Sequence, residues 1–333
     1  MKSCTTITTV IPTYQRPHLL KKAIESVLNQ TYPYFQLLIC DNASGDETAD
    51  VANEYCKRDV RVKYHCHTTN IGMMENYKFG IGSIQTEFFS ILSDDDILLP
   101  WFYETALTSL INTPDAIFFA GSTIIMTQKG KVIRVPLSLW KRAGIFHPPE
   151  GLLEMIGKYP IPTGIIFRKE ILNHVAIDEE NPLVWDCDFL LNSAKKFPIV
   201  ISQKPCAIFL QHAESYSFSQ KAILWENSFS RLAYRLENSF DLPAPIAKEG
   251  KNRVLFELYN LYLQHKKIEK ASLIAAQISS FISRNRKTAL NLKIHKFHPM
   301  IINIINFLRG IKLRIMVEKK LQKQYKKYYT YMK

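Results

Sequence analysis

The sequence predicts an α/β fold, in which a mostly parallel central sheet is flanked by helices and followed by a helical C-terminal region. Over about the first 130 residues, short apolar strand patterns alternate with helical patterns, as expected for parallel sheets. Polar clusters directly follow three of the strands, and beyond residue 219 the pattern is helical only. Of the 333 residues, 47% are apolar and 22% charged, which excludes a disordered or low-complexity chain.

The N-terminal elements follow one another with short connections. Strands are predicted at residues 7–12, 35–40, 62–66, 87–92 and 116–126. The first helix is predicted to begin at Pro17, because proline suits the first helical turn. Further helices are predicted at residues 47–57, 73–84 and 100–112. Because ligands bind outside the carboxyl ends of parallel strands, the polar residues after these strands predict a site at that edge.

From about residue 131 the pattern becomes a mixture of strands and helices. Strands are predicted at residues 162–168, 199–202 and 207–210, and a helix at 186–196. The last part of the chain is predicted to form helices at about 219–238, 246–265, 268–284 and 300–328. We therefore expect two regions, residues 1–218 and residues 219–333.

Positive charge is concentrated in the last quarter of the chain. Residues 251–333 hold 19 Lys and Arg against 3 Asp and Glu, whereas the whole chain has a net charge of +13. Within residues 300–333, lysines alternate with apolar residues and tyrosines, a pattern that suits an anionic membrane surface. An alternative is a helical appendage that packs on the first region and exposes its charges. Nucleic acid is disfavoured as a partner, because no recognition motif accompanies the charge.

The cysteines and the N-terminus indicate a protein of the cytoplasm. The six cysteines contain no CxxC pair and are expected to be reduced thiols. His65, Cys66 and His67 would alternate across a strand, so they are not expected to share a metal. Neither a secretory leader nor an apolar run of about 20 residues is visible. The predicted location is cytoplasmic, with peripheral attachment to the inner face of the membrane if the tail binds lipid.

Three adjacent carboxylates, Asp94, Asp95 and Asp96, follow the fourth predicted strand. They repel one another unless a cation is close. Oxygen ligands at this density suit Mg²⁺ or Mn²⁺ shared with a diphosphate. The alternative from spacing alone is a solvated acidic turn before the helix that begins near Pro100.

Five segments in the same order resemble glycosyltransferases of family 2 with the GT-A fold, a Rossmann-like sheet flanked by helices. The segments are 10–17 (VIPTYQRP), 26–32 (SVLNQTY), 41–46 (DNASGD), 70–72 (NIG) and 92–96 (LSDDD). The resemblance covers residues 5 to about 215 and stops there. It implies inverting transfer of a sugar from a nucleotide donor.

The resemblance implies a site that binds the nucleotide and assigns eight residues to this site. Its members are Pro12, Thr13, Tyr14, Arg16, Asp41, Asn70, Gly72 and Asp94. Asp41 corresponds to the aspartate that accepts a hydrogen bond from uracil N3–H, and Asp94 lies where ribose contact is expected. Ser93 stands where many members have the first aspartate of the acidic motif, so this chain carries a variant of it.

The resemblance also implies metal ligands and a general base. Asp95 corresponds to the metal ligand, Asp96 is a second candidate beside it, and His212 can complete the metal shell or contact the diphosphate. Asp186 corresponds to the general base, which takes the proton of the acceptor hydroxyl. Asp188 is the second candidate, although a carboxylate in a first helical turn is also favoured by the helix dipole. Trp185 departs from the family, where many members have Glu.

The sequence therefore predicts an inverting glycosyltransferase that uses Mn²⁺ or Mg²⁺. The donor is predicted to be a UDP-sugar, and the acceptor a hydroxyl of a glycan, polysaccharide or lipid-linked molecule. A divalent cation would stabilise the charge that grows on the departing diphosphate. Two alternatives are a nucleotidyltransferase on a similar sheet and a non-catalytic scaffold at an anionic surface. Donor selectivity is expected to depend on residues 121–165.

Overall fold

The computed structural model describes residues 5–212, 222–264, 267–278 and 319–332. The chain divides into two compact units, one comprising the chain through residue 213 together with residues 327–333, the other residues 214–326. The sequence had suggested a boundary near residue 218, with the whole C-terminal end in the second region. Residues 327–332 instead belong to the first unit, because aromatic side chains there pack against it.

The first unit is built on one sheet of ten strands. These are β1 (Ile7–Thr13), β2 (Phe35–Asp41), β3 (Val62–Cys66), β4 (Phe88–Ile91), β5 (Ile97–Leu98), β6 (Phe118–Thr127), β7 (Val132–Arg134), β8 (Gly144–Phe146), β9 (Ile165–Arg168) and β10 (Ile199–Gln211). Their order is β3-β2-β1-β4-β9-β6-β10-β5, with β7 paired to β6 and β8 to β10.

Helices of the first unit connect these strands. The α-helices are α1 (Pro17–Leu28), α2 (Thr48–Arg58), α3 (Met73–Gly82), α4 (Phe102–Ile111), α5 (Glu150–Met155) and α6 (Trp185–Lys196). Short 3₁₀ helices lie at Pro136–Leu139, Pro162–Gly164, Lys169–Asn173 and Lys326–Met332. The predicted α/β class is confirmed, and α1 does begin at Pro17.

The sheet is more mixed than the sequence suggested. Strands β1, β2, β3 and β4 pair in parallel, as do β6 and β10, but β9 lies antiparallel between β4 and β6. The two short strands predicted at 199–202 and 207–210 form the single strand β10, whose register shifts on both sides of Pro205. A proline has no N–H to give to the ladder, which accounts for an irregularity there.

The core lies between the sheet and its helices, and it is apolar. Strand β1 is buried along its whole length, as expected for a strand covered on both faces. Helix α1 contributes an apolar stripe that includes Leu20, Ala23 and Ile24, all fully buried. The packing of these helices on the sheet holds the carboxyl ends of β1, β2 and β4 at one edge.

The second unit is helical over its described part. It contains α7 (Ala222–Asn238), α8 (Ala244–Gln264) and α9 (Ile268–Gln277), with α8 packed against both of the others. The predicted helix at 268–284 is present as far as residue 277, and residues 279–284 lie outside the described residues. Residues 300–318 of the last predicted helix also lie outside them, whereas 319–325 are helical. Within the described ranges, no helix is long and apolar enough to cross a membrane.

Residues 327–332, which belong to the first unit, pack against the rest of that unit through tyrosines. The Tyr328 and Tyr331 rings contact the edge of Trp101, at centroid distances of 6.4 and 5.9 Å. The Tyr329 ring covers Gly130, whose φ of +75° and close packing leave no room for a Cβ atom. Lys22 Nζ donates to the Met332 carbonyl at 2.7 Å. Three tyrosines of the basic tail, Tyr328, Tyr329 and Tyr331, therefore make intramolecular contacts.

Candidate functional site

The acidic turn after β4 is buried at the carboxyl edge of the sheet, and Asp94 faces β1. Thr13 Oγ1, at the end of β1, donates to Asp94 Oδ2 at 2.8 Å. Arg16 Nη1, just before α1, lies 3.1 Å from Asp94 Oδ1. Burial and the neighbouring Asp95 charge nevertheless raise the pKa of Asp94 to about 6. The turn thus concentrates negative charge that a cation would stabilise.

Asp95 lies between the guanidinium group of Arg16 and the imidazole ring of His212. Its Oδ2 is 3.2 Å from Arg16 Nη1 and 2.8 Å from Nε2 of His212, which follows β10 directly. Asp95 and His212 are 117 positions apart in the chain, and only the pairing of β10 with the rest of the sheet brings them together. A carboxylate and an imidazole at this distance form a pair that can bind a divalent cation.

Asp96 is fully buried and turned toward the protein interior. Thr163 Oγ1 donates a hydrogen bond to its Oδ2, and the Leu210 backbone N–H donates to its Oδ1 at 2.9 Å. Burial, together with the Asp95 charge, raises the pKa of Asp96 well above its usual range. Asp96 therefore ties the acidic turn to the 3₁₀ helix before β9 and to the end of β10.

Asp41 ends β2 and lies beside Thr13 in the parallel register of β1 and β2. Ser44 donates to Asp41 Oδ1 twice, from its backbone N–H at 2.9 Å and from its hydroxyl at 2.5 Å. Tyr64 Oη, from β3, donates to Asp41 Oδ2 at 2.7 Å. Three donors hold a carboxylate that is 1% exposed, which fixes its orientation at the sheet edge.

The loop after β3 is held to the loop after β2 by asparagines. Asn42 Nδ2 donates to Asn70 Oδ1 at 3.0 Å, and the Ile71 N–H donates to Asn42 Oδ1 at 2.8 Å. Gly72, with φ +87°, precedes α3 and donates its N–H to Asn70 Oδ1. Tyr14 lies in the turn after β1 with 41% of its surface exposed. The predicted nucleotide residues therefore surround one edge of the sheet; Pro12, in contrast, is buried within β1.

The two carboxylates of α6 differ in their surroundings. Asp186 is half-buried in the first helical turn, where its Oδ1 accepts the Cys187 N–H at 2.8 Å. Burial raises the pKa of Asp186 above its ordinary value. Asp188 is 1% exposed, and its Oδ2 accepts a hydrogen bond from Asn192 Nδ2 one turn later in the same helix. Of the two, Asp186 is the more accessible.

Several residues of this site were missed by the sequence analysis. Tyr64 and Ser44 hold Asp41, Thr163 holds Asp96, and Asn42 holds the loop at Asn70. Ser44 and Asn42 lie inside the segment that carries the family resemblance and could have been named. Tyr64 and Thr163 contact their aspartates from other elements of the fold, so no local sequence pattern predicts these contacts.

The residues present fit a divalent cation only in part. Over the part of the chain that the structure describes, no group of three or more His, Cys, Asp or Glu side chains is arranged to hold a metal. Asp95 and His212 do form a pair of one oxygen and one nitrogen donor. Cations that act on phosphates often take few protein ligands and share the phosphate oxygens. The pair therefore suits a metal that binds together with a diphosphate.

A Rossmann-like sheet that carries an acidic turn at its carboxyl edge, with helices on its faces, is typical of the GT-A class of glycosyltransferases. The model of the family named glycosyl transferase family 2 matches residues 8–176. This chain belongs to that family, as the sequence motifs predicted.

Relatives and solved structures agree with this assignment. An uncharacterized glycosyltransferase of Haemophilus influenzae is 26% identical over 62% of this chain and 63% of its own length. The GalNAc(5)-diNAcBac-PP-undecaprenol beta-1,3-glucosyltransferase of Campylobacter jejuni is 34% identical over 28% of this chain and 30% of its own. The matches with the first curated relatives thus span less than two thirds of those proteins.

Two solved structures share the fold at low sequence identity. S. aureus TarS 1–349 in complex with UDP-GlcNAc is 18% identical, with a TM-score of 0.61 over 78% of this chain and 73% of that one. The mannosyltransferase PcManGT of Pyrobaculum calidifontis, in complex with GDP-Man and Mn²⁺, is 12% identical, with a TM-score of 0.52 over 96% and 88%. Both similarities concern the fold, and they confirm the predicted α/β architecture.

Proposed function

We propose that the first unit is an inverting, metal-dependent glycosyltransferase domain that transfers a sugar from a UDP-linked donor to a hydroxyl group. The observation that carries the proposal is the placement of Asp41 and of the Asp94–Asp95 turn at one sheet edge, joined through Thr13. Similarity to proteins that bind UDP-GlcNAc, or GDP-Man with Mn²⁺, supports a nucleotide-sugar donor and a divalent metal.

On the donor side, Asp41 would accept the N3–H of uracil. Its three internal donors keep the carboxylate in place, and an acceptor at that point selects a base with an N–H at the matching position. The turn at Thr13 and Tyr14 and the loop at Asn70 and Gly72 would flank the nucleotide. Asp94 lies next to Thr13 and would contact the ribose.

On the metal side, Asp95 and His212 would hold Mn²⁺ or Mg²⁺. When bound, such a cation neutralises charge on the leaving diphosphate. Arg16 already pairs with both Asp94 and Asp95 and would offer a second positive charge to the same phosphates. Asp96 would support the turn from inside through Thr163.

On the acceptor side, Asp186 would take the proton of the attacking hydroxyl. The hydroxyl oxygen forms the new bond to the anomeric carbon as the bond to the diphosphate breaks, so that one displacement inverts the configuration. A raised pKa makes Asp186 a stronger base than an ordinary aspartate. Asp188 remains the second candidate for this role.

The acceptor would be a glycan, a polysaccharide or a lipid-linked molecule. Similarity to a glucosyltransferase whose name includes an undecaprenol-linked glycan supports this class. The excess of Lys and Arg in residues 251–333 supports peripheral attachment of the chain to the inner face of the cell membrane. Salt-sensitive co-sedimentation with anionic liposomes would test that attachment, and binding that does not respond to salt would contradict it.

The proposed function is tested by thermal unfolding of the full chain with UDP, UDP-sugars and GDP, each with and without Mn²⁺. UDP with Mn²⁺ is expected to raise the midpoint, and Asp95→Ala to abolish the metal-dependent part. Asp115→Asn, at an exposed turn before β6, is the control and should respond as the wild type does. A shift that persists in Asp95→Ala, or that needs no metal, would contradict the proposal.

A further inference from the structure

Two loops of the candidate site hold their backbone in the left-handed region at residues other than glycine. Gln15, in the turn after β1, has a φ of +53°, and Ala43, in the turn after β2, has a φ of +60°. Over the described residues, one further non-glycine position, Asp241, has a positive φ. This conformation is unfavourable for a residue with a Cβ atom and persists only where the surroundings impose it. Contacts outside each turn must therefore hold the two loops.

Ser44 joins these two loops. Its hydroxyl accepts the backbone N–H of Gln15 at 2.8 Å, and its carbonyl accepts the Gln15 side-chain amide, Nε2, at 3.1 Å. The same hydroxyl donates its proton to Asp41 Oδ1 at 2.5 Å. A hydroxyl can donate one hydrogen bond and accept others, so these contacts of Ser44 are compatible with one another. The turn after β1 is thus attached to the residue that holds Asp41.

Arg16 follows Gln15 directly and precedes α1. Its Nη1 lies 3.1 Å from Asp94 Oδ1 and 3.2 Å from Asp95 Oδ2, and both carboxylates are buried. The backbone conformation of Gln15 sets the direction in which the chain enters α1, and therefore where this guanidinium lies. Gln15 itself is exposed, so it is held by its two hydrogen bonds to Ser44 rather than by core packing.

We propose that Gln15 is a positioning residue, which keeps the Arg16 guanidinium on the acidic turn through its contacts with Ser44. The proposal rests on the proposed function, because it assumes a nucleoside diphosphate with its base at Asp41 and its phosphates near Arg16. Ser44 then sets the spacing between the two ends of the ligand, since it contacts Asp41 on one side and Gln15 on the other. Loss of the Gln15 amide should weaken recognition of the phosphates and leave recognition of the base unchanged.

The experiment measures the binding of UDP and of CDP to the full chain by calorimetry with Mn²⁺. CDP carries the same two phosphates but has no N–H at N3 of its base, so the preference for UDP over CDP reports on Asp41. Gln15→Met keeps the length of the side chain and removes the amide. It is expected to weaken the binding of both nucleotides about fivefold, the usual contribution of one hydrogen bond, with the preference unchanged. Ser44→Ala, which removes both contacts of the hydroxyl, should lower the affinity and the preference.

Gln15→Gly separates the side-chain amide from the backbone conformation. Glycine adopts a positive φ without steric cost, so this variant removes the hydrogen bond from Nε2 while it relieves the backbone. It should bind UDP no better than Gln15→Met. Gln36→Met is the matched control, because Gln36 is exposed near the other end of β2 from Asp41. The same substitution there should leave UDP binding unchanged.

A double-mutant cycle tests whether Gln15 acts through Arg16. Arg16→Gln is expected to weaken UDP binding by about 10- to 100-fold, because hydrogen bonds to charged groups contribute more than neutral ones. If Gln15 acts through the guanidinium, Gln15→Met should add little to the loss that Arg16→Gln causes alone.

The outcomes separate this proposal from the proposed function. Wild-type affinity for UDP in Gln15→Met or Gln15→Gly, a changed preference in Gln15→Met, or additive losses in the cycle would overturn the positioning role. If the wild type bound no UDP with Mn²⁺, or bound CDP equally well, the proposed function would fail. Thermal unfolding of the same variants without ligand would still decide the connection between Gln15 and Arg16. Non-additive changes of stability support this connection, and additive changes contradict it.

Discussion

The nucleotide side and the acceptor side of the proposed site are built from different interactions. On the nucleotide side, Asp41 and Asp94 each accept hydrogen bonds from two other residues, and the donors come from neighbouring loops and strands. On the acceptor side, Asp186 lies beside an apolar cavity and accepts the backbone N–H of the next residue. Donors from other elements fix the orientation of the carboxylates on the nucleotide side, whereas Asp186 accepts from its own helix; burial raises the pKa of both Asp94 and Asp186.

This difference suits the two tasks. A carboxylate that recognises a base must stay in place, and donors from several residues hold it there. A carboxylate that removes a proton benefits from a raised pKa, and an apolar environment provides it. The comparison predicts that substitutions on the two sides will separate binding from turnover.

The largest effect is expected for Asp186→Asn. The substitution should lower turnover by about 10²- to 10⁴-fold, the usual contribution of a general base, and leave UDP binding unchanged. The measurement is the release of UDP from a UDP-sugar that the wild type uses, alongside calorimetry with UDP. Asp188→Asn is the companion variant; if it loses turnover and Asp186→Asn does not, the base is Asp188.

A smaller effect, confined to binding, is expected for Tyr64→Phe. Loss of the 2.7 Å hydrogen bond to Asp41 should weaken UDP binding about tenfold, because a bond to a charged group contributes about 1.5 kcal/mol. Tyr55→Phe is the matched control, since its hydroxyl donates to Glu25 at the same distance in another part of the unit. Equal affinities of the two variants for UDP would show that UDP binding does not require the hydrogen bond from Tyr64 to Asp41.

The smallest effect concerns stability and pH. Because burial raises the pKa of Asp186 in the folded state, its charged form costs stability once the pH rises through that pKa. The neutral Asp186→Asn variant should therefore melt above the wild type at pH 7, by about 2–4 °C for each kcal/mol recovered, and the difference should shrink toward pH 4. Asp115→Asn, on the surface, should show no such difference. A melting point below that of the wild type at pH 7 would contradict the expected cost.

The nucleotide side could be predicted from the sequence to a large extent. Its residues come from segments that follow strands directly, such as Asp41 after β2 and Asp94 after β4. A parallel arrangement of these strands is enough to bring them to one edge. The roles of the individual residues remain proposals, and the sequence alone supplied them through the family resemblance.

Contacts across the sheet could not be predicted in the same way. The pairing of Asp95 with His212 requires the position of β10, and the contact of Thr163 with Asp96 requires the antiparallel insertion of β9. The sequence pattern predicts β9 as a strand but does not predict its direction. Short strands such as β5, β7 and β8 are too brief to show a periodic pattern.

The α/β class, the family and the edge of the sheet where polar groups collect can be predicted from the sequence, because strand and helix periodicity and loop motifs are local properties. Which distant side chains meet depends on the folded chain. Folding brings Tyr77 against Trp185, His212 against Asp95, and Tyr329 onto Gly130. These contacts depend on strand order and on helix packing, and both are set by the burial of the whole core, which no short segment encodes.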